Sequence, residues 1–210
     1  MEDDADFSVG IRDILEGVST QLQGIFGAKN KEPYGIVGDS WDVLALGSCF
    51  ADLPDPKKEP KVARWIRGWV DPYAPENDDL SKRYLPRAAS KRVRVVGPAK
   101  FMACTQGYAV TRLGAMRLLY NSGGVAHSVD NPVDIIMGNQ MKNVLYGFVT
   151  LPSIVTQWKN GDWRDTDIQK FAGEESRKMG QGDPDIVQSV RKEIMDVLGN
   201  RNVWEEIEKE

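Results

Sequence analysis

The spacing of apolar residues changes several times along this chain, and each change predicts a different element. After a short acidic N-terminus, apolar residues recur every three or four positions, which predicts a helix. Its apolar face consists of Ile11, Ile14, Leu15, Val18 and Leu22. Near the C-terminus the same spacing predicts an amphipathic helix over 185–198, through Ile186, Val190, Ile194 and Val197.

Short apolar runs bounded by turn residues predict buried strands. Such runs occupy residues 41–47, 93–96 and 144–151, and a longer one occupies 100–111. Because these strands are interspersed with helical segments, the pattern predicts an α/β fold.

The run at 100–111 is followed by a change of period. Residues 112–120 have helical spacing, with one face formed by Leu113, Met116 and Tyr120. An asparagine and two glycines follow this segment and predict its end.

A second helix is predicted to start near Pro132. Asn131 is a suitable N-cap, and Pro132 fits the first helical position. Asp134 then falls in the first turn, where the helix dipole favours a carboxylate whatever its function.

The segment 52–92 is rich in proline and shows little periodicity. We therefore expect a long irregular insertion, of the kind that often serves as a lid or binding loop. Trp65, Trp69 and Tyr73 either stack on sugar rings or pack the insertion onto the domain.

Composition narrows the classes of protein. The chain has 210 residues, 41% of them hydrophobic, and a net charge of −4. This length and hydrophobic content are enough for the core of one domain, with or without an appendage. The acidic balance outweighs several basic clusters, so we do not expect nucleic acid as a partner. No apolar run approaches the roughly 18 residues of a membrane span, so we expect no transmembrane segment.

The two cysteines, Cys49 and Cys104, fall in predicted strands of one sheet. They are too few for a disulfide framework and lack the spacing of zinc ligands. They are either two buried small hydrophobic residues or a single bridge.

Glu2, Asp3, Asp4 and Asp6 form a dense carboxylate cluster. The spacing of Asp4 and Asp6 brings two carboxylates close together, as suits Mn²⁺ or Mg²⁺. An acidic helix N-terminus is the alternative, because the helix dipole favours it.

Four ordered blocks resemble glycosyltransferase family 25, which includes bacterial lipooligosaccharide and collagen galactosyltransferases and many fungal members. The central block is 104–115 (CTQGYAVTRLGA), followed by 131–134 (NPVD). Residues 41–49 (WDVLALGSC) resemble the family's mid-domain strand, and 2–6 (EDDAD) its acidic DxD-type motif.

The resemblance implies a GT-A-like (Rossmann-like) glycosyltransferase domain over 1–170, with the insertion 52–92 inside it. We expect a polar helical extension over 171–210. In the family, a nucleotide-binding half precedes the acidic motif, so we expect this chain to lack that half.

The resemblance also implies metal-dependent transfer of a hexose, galactose from UDP-galactose, to a hydroxyl of a glycan or protein. Mn²⁺ or Mg²⁺ would be held by the acidic motif, and the metal would stabilise charge on the leaving diphosphate. Asp134 would be the base that takes the acceptor proton, with Asp130 as its competitor. Metal ligands would come from Glu2, Asp3, Asp4 and Asp6.

Further candidates for donor or acceptor contacts are Trp41, Asp42, Tyr108, Gln157, Asp165 and Asp167. A structural role is the alternative for Asp42 and for Tyr108. His127, the only histidine, lies in a loop and is not expected to be catalytic.

Two other readings stay open. The chain could be an inactive family member that binds a glycan or a partner, or an unrelated acidic α/β interaction domain. The sequence does not fix a compartment, although eukaryotic family members often work in the secretory pathway.

Overall fold

The computed structural model describes residues 5–27, 40–123, 132–141, 143–158 and 185–194. The helices in this part of the chain are α1 (Ile11–Phe26), α2 (Pro60–Ala63), α3 (Asp78–Tyr84), α4 (Arg112–Gly123) and α5 (Val133–Met141). The strands are β1 (Ala5–Phe7), β2 (Val43–Gly47), β3 (Phe50–Ala51), β4 (Arg67–Val70), β5 (Val93–Pro98), β6 (Met102–Ala103), β7 (Gly107–Val110), β8 (Gly147–Leu151) and β9 (Val155–Gln157).

A five-stranded mixed sheet, in the order β4-β5-β8-β2-β7, forms the centre of the fold. Strands β2 and β8 are parallel, and the other neighbouring pairs are antiparallel. Two small antiparallel ribbons, β1–β9 and β3–β6, accompany the sheet. The fold class is therefore mixed α/β.

Helices cover both faces of the sheet. Because side chains alternate between the two faces along each strand, the strands contribute to two separate hydrophobic clusters. The cluster on the α1 side includes Ile14, Val18, Leu22, Leu44, Val96 and Phe148. The cluster on the α5 side includes Val43, Ala45, Val95, Met137, Met141 and Val149. The predicted strands at 41–47, 93–96 and 144–151 are confirmed as β2, β5 and β8, with shifted ends.

The segment 52–92 has more regular structure than predicted. It contains α2, β4 and α3, and β4 pairs with β5 as an edge strand of the main sheet. Trp69 and Tyr73 pack against the α1 cluster, and Trp65 lies against the Phe26 ring at a centroid distance of 5.8 Å. The aromatic residues thus pack the segment onto the domain.

The predicted strand at 100–111 is two strands, β6 and β7. Between them Cys104 has a φ of +67°, the left-handed region that non-glycine residues seldom adopt. That conformation turns the chain, so β6 pairs with β3 whereas β7 pairs with β2. An apolar run alone does not reveal such a turn.

Helix α4 forms where predicted, but its predicted apolar face is exposed. Met116 is 58% exposed and Tyr120 is 83% exposed. The helix instead approaches β2 through Gly114, where a Cβ would overlap the Asp42 backbone. Leu118, four residues further on, packs against the α5-side cluster. The buried face was missed because a glycine gives no apolar signal.

A buried ion pair links the edge of the sheet to the turn after β8. Arg94, on β5, donates to the Asp71 carboxylate and to the backbone carbonyls of Pro152 and Ser153. Burial lowers the pKa of the Arg94 guanidinium, and the bond to Asp71 opposes that effect. Removing two charges from water is costly, and in this buried pair each charge offsets that cost for the other.

We expect Arg94→Met to lower the free energy of unfolding by about 3–5 kcal/mol, because it leaves the Asp71 charge buried and unpaired. Urea denaturation measures the loss. The double variant Arg94→Met/Asp71→Leu removes both charges and should recover most of it. Equal losses in the single and double variants would contradict this account.

Candidate active site

The candidate site lies at the edge of the sheet where β2 and β8 end. Because these two strands are parallel, their carboxyl ends meet at the same edge, and β7 begins there with Gly107 opposite Gly47. Open α/β sheets bind ligands in the crevice outside the carboxyl ends of their strands.

Strand β9 crosses this edge in close contact with two glycines. A Cβ on Gly47 would overlap the carbonyl oxygen of Val155, and a Cβ on Gly107 would lie 2.9 Å from the Val155 side chain. Glycine at both positions therefore lets β9 lie directly over the ends of β2 and β7.

Strand β9 in turn positions β1, which carries the end of the acidic motif. The two strands pair with Asp6 opposite Thr156 and Ala5 opposite Gln157. The fold thus brings Ala5 and Asp6, the last two residues of the acidic motif, to the carboxyl edge. Glu2, Asp3 and Asp4 lie outside the described residues.

Asp6 is buried and bonded within the protein. Its Oδ2 accepts from Ser189 Oγ (2.6 Å), and its Oδ1 accepts from the backbone N–H groups of Phe7 (2.9 Å) and Arg191 (3.2 Å). These bonds fix the start of the helical turn at 190–194, so Asp6 acts as a helix-capping residue. Its predicted role as a metal ligand stays a prediction.

The described part of the predicted C-terminal extension is attached to β1. Gln188 accepts a hydrogen bond from Val9 N–H (2.9 Å), and Arg191 Nε donates to the Ala5 carbonyl (3.0 Å). The helical residues start at 190, not at 185 as the spacing predicted.

Asp134 lies in the first turn of α5, as predicted, and contacts the turn between β6 and β7. Its Oδ2 accepts from the backbone N–H of Cys104, and its Oδ1 accepts from the N–H of Ile135, both at 2.8 Å. Each carboxylate oxygen offers two lone pairs, so both retain capacity for one further hydrogen bond. The side chain is partly buried, which leaves one side accessible.

Cys49 and Cys104 form a disulfide, which decides between the two alternatives that the sequence left open. Gln106 lies beside it, with Nε2 donating to Cys49 Sγ at 3.7 Å. The Gln106 Cβ would also lie 3.3 Å from a Cβ on Gly47. A series of direct contacts thus runs from the glycine crossing through the disulfide to Asp134.

Several buried polar atoms along this edge have no hydrogen-bond partner in the protein. Among the described residues these include Ser48 Oγ, Gln106 Oε1 and Thr156 Oγ1. Unpaired buried polar groups are costly and uncommon in folded proteins. Three of them lie along this edge, which marks it as unusual. None of the three was predicted as a site residue, although Gln106 and Tyr108 are two residues apart along the run at 100–111, a spacing that places both on one face of a strand.

Trp41 and Asp42 lie at the opposite end of β2, about 15 Å away from Gly47 given the rise per residue of a strand. Asp42 is buried and accepts from Arg117 Nη1 (2.8 Å) and from the Tyr146 N–H (2.9 Å). These contacts give Asp42 a structural role, and the fold does not bring it together with Asp134.

The other candidates are distributed differently. Tyr108, on the edge strand β7, pairs with Ala45 midway along β2 and packs against the α5-side cluster. Gln157 lies at the carboxyl edge, opposite Ala5 in the β1–β9 ribbon. Outside the described residues lie Asp130, His127, Asp165 and Asp167.

No family model matches the chain, and no curated protein or solved structure matches it significantly. Within the described residues, no group of three or more His, Cys, Asp or Glu side chains is arranged to hold a metal ion. In the same part of the chain, no helix is long and apolar enough to cross a membrane.

We expect the disulfide to stabilise the domain by about 2–4 kcal/mol, because it closes a long loop and restricts the unfolded chain. Urea denaturation of the wild type with and without reductant measures this difference. The variant Cys49→Ser/Cys104→Ser should match the reduced wild type and be insensitive to reductant. Identical stability of the oxidised wild type and the double variant would refute the expectation.

Proposed function

We propose that this chain is a glycosyltransferase domain of the GT-A type, similar to family 25, that transfers a hexose to a hydroxyl of a glycan or protein. The observation that carries the proposal is the Asp134 carboxylate, which is anchored on the first turn of α5 and joined by direct contacts to the carboxyl edge. The resemblance makes UDP-galactose the first donor to test.

The proposed chemistry is a single inverting displacement. The acceptor hydroxyl oxygen forms a bond to the anomeric carbon while the bond from that carbon to the diphosphate oxygen breaks. The hydroxyl proton passes to Asp134, which acts as general base. The backbone N–H groups of Cys104 and Ile135 hold the carboxylate in one orientation, and its remaining lone pairs can accept that proton.

A divalent cation is part of the proposal. Asp6 fits poorly as its ligand, because the residue is only 1% exposed and both carboxylate oxygens accept hydrogen bonds from the protein. Glu2, Asp3 and Asp4 are the residues that would hold Mn²⁺ or Mg²⁺. When bound, the cation would stabilise negative charge on the diphosphate.

The fold supports the GT-A assignment in outline. A mixed sheet has α1 on one face and α5 on the other, and the candidate base is joined to the carboxyl edge of the parallel pair through Cys104 and its disulfide. Such an edge is where α/β folds of this kind bind nucleotides.

A second candidate function is glycan or partner binding without catalysis. It is favoured by the bonding of Asp6 and Asp134, since each carboxylate also has a structural partner. An acid in the first turn of a helix is stabilising without any reaction.

Asp134→Asn tests the proposal, because the amide keeps the shape of the side chain but cannot accept the proton as a carboxylate does. We expect it to lower the rate of UDP release from UDP-galactose, with Mn²⁺ and a panel of glycan acceptors, by about 10²–10⁴-fold. Thermal melts verify that the variant stays folded.

Asp79→Asn is the matched control, because Asp79 is an exposed first-turn carboxylate of α3 and should leave the rate unchanged. Full turnover by Asp134→Asn would eliminate Asp134 as the base. If the wild type releases no UDP with any of the acceptors, the result would favour the binding function.

A further inference from the structure

An exposed aromatic side chain lies on the β3–β6 ribbon, and Cys104, the residue after β6, is hydrogen-bonded to the candidate base. Phe50, on β3, is 58% exposed, although it belongs to a ribbon that is otherwise closely joined to the domain. Its ring lies against that of Phe101, with the centroids 6.2 Å apart and the planes tilted by 51°. One ring of this pair is therefore backed by the other.

Phe101 connects the aromatic pair to α5. A Cβ on Gly138 would lie 2.8 Å from the Phe101 ring, so the ring packs directly on the helix at that position. Gly138 is four residues after Asp134, and residues with this spacing share one face of a helix. The Phe101 ring thus contacts α5 about one helical turn after Asp134, and Phe50 lies against the Phe101 ring.

Several bonds hold the ribbon in place. Cys49 N–H donates to the Ala103 carbonyl and Asp52 N–H donates to the Phe101 carbonyl, both at 3.0 Å. The Cys49–Cys104 disulfide closes the ribbon on the side of Asp134. Phe50 is consequently presented on a fixed backbone, which lowers the entropy cost of ligand binding.

Among the described residues of the ribbon and of the first turn of α5, the charged side chains are acidic apart from one lysine. Asp52 is exposed on the same ribbon, and Asp134 lies on the neighbouring helix. The nearest cation of the ribbon, Lys100, is paired with Glu59 at 2.7 Å. This environment favours a neutral ligand with hydroxyl donors over an anionic one.

We propose that Phe50, backed by Phe101, is the acceptor subsite of this domain and binds the apolar face of a neutral pyranose ring. The proposal rests on the transferase function proposed above and names its acceptor class. An aromatic face suits the C–H side of a sugar ring, while a hydroxyl of the same sugar reaches the Asp134 carboxylate. The ribbon thereby sets which sugar is presented to the base.

Other exposed aromatic residues lie elsewhere and provide a control. Tyr146 is 67% exposed and lies beside Asp42 at the amino end of β8, the edge opposite the candidate site. Isolated exposed aromatic residues are common on protein surfaces, so only a difference between Phe50 and Tyr146 supports a subsite.

The test is an NMR titration of the oxidised protein with methyl β-galactopyranoside, without donor or metal. We expect Phe50→Ala to raise the Kd by about 3- to 10-fold, the range associated with one aromatic contact. Tyr146→Ala should leave the Kd unchanged. Phe50→Leu, which keeps apolar bulk without a ring, should also weaken binding and guards against a folding defect.

Equal Kd values for the wild type and Phe50→Ala would overturn the subsite, as would failure of the wild type to bind the glycoside. Neither result decides whether the domain transfers a hexose, because the turnover assay with Asp134→Asn tests transfer separately. Tighter binding of methyl glucuronide than of the neutral glycoside would overturn the assignment of a neutral acceptor.

Discussion

The close crossing of β9 over the ends of β2 and β7 is the constraint on which the candidate site depends. Gly47 and Gly107 are in contact with Val155, and a side chain at either position would force β9 away from the sheet. Because β1 pairs only with β9 among the described strands, a displaced β9 would carry β1 with it. Asp6, the last residue of the acidic motif, reaches the carboxyl edge through these two glycines.

Buried polar contacts at the turn after β8 support the same edge. Arg94 binds the carbonyls of the turn after β8, and the Ser153 N–H in that turn donates to Asp185 (3.2 Å). Asp6 then caps the helical turn that follows. The C-terminal segment 185–194 therefore helps to support the site, although it is distant from β1 in the sequence.

The bond between Asp134 and Cys104 gives one carboxylate two possible uses. Cys104 has a left-handed backbone, which costs energy for a residue with a side chain, and the disulfide and the Asp134 carboxylate both stabilise it there. Strained backbone of this kind is concentrated at functional sites. The same contacts that stabilise the turn also orient the candidate base.

Sequence reasoning predicted the elements with strong apolar periodicity and missed features that depend on tertiary contact. Strands β2, β5 and β8 and helix α1 followed from their patterns, and the first-turn position of Asp134 followed from its proline and cap. The turn at Cys104 was missed because it lies within one apolar run. The contact of Gly114 with β2 and the pairing of β1 with β9 were missed because neither leaves a periodic signal.

Thermal melting with UDP-galactose, with and without Mn²⁺, tests most directly the proposal that this domain binds a nucleotide sugar through its acidic motif. A ligand that binds only the folded state raises the melting temperature, with a stabilisation of about 2.7 kcal/mol at a hundred times its Kd. We predict a Mn²⁺-dependent rise in melting temperature that Asp3→Asn/Asp4→Asn abolishes and Asp79→Asn preserves. A well-folded wild type whose melting temperature does not change with donor and Mn²⁺ would contradict it.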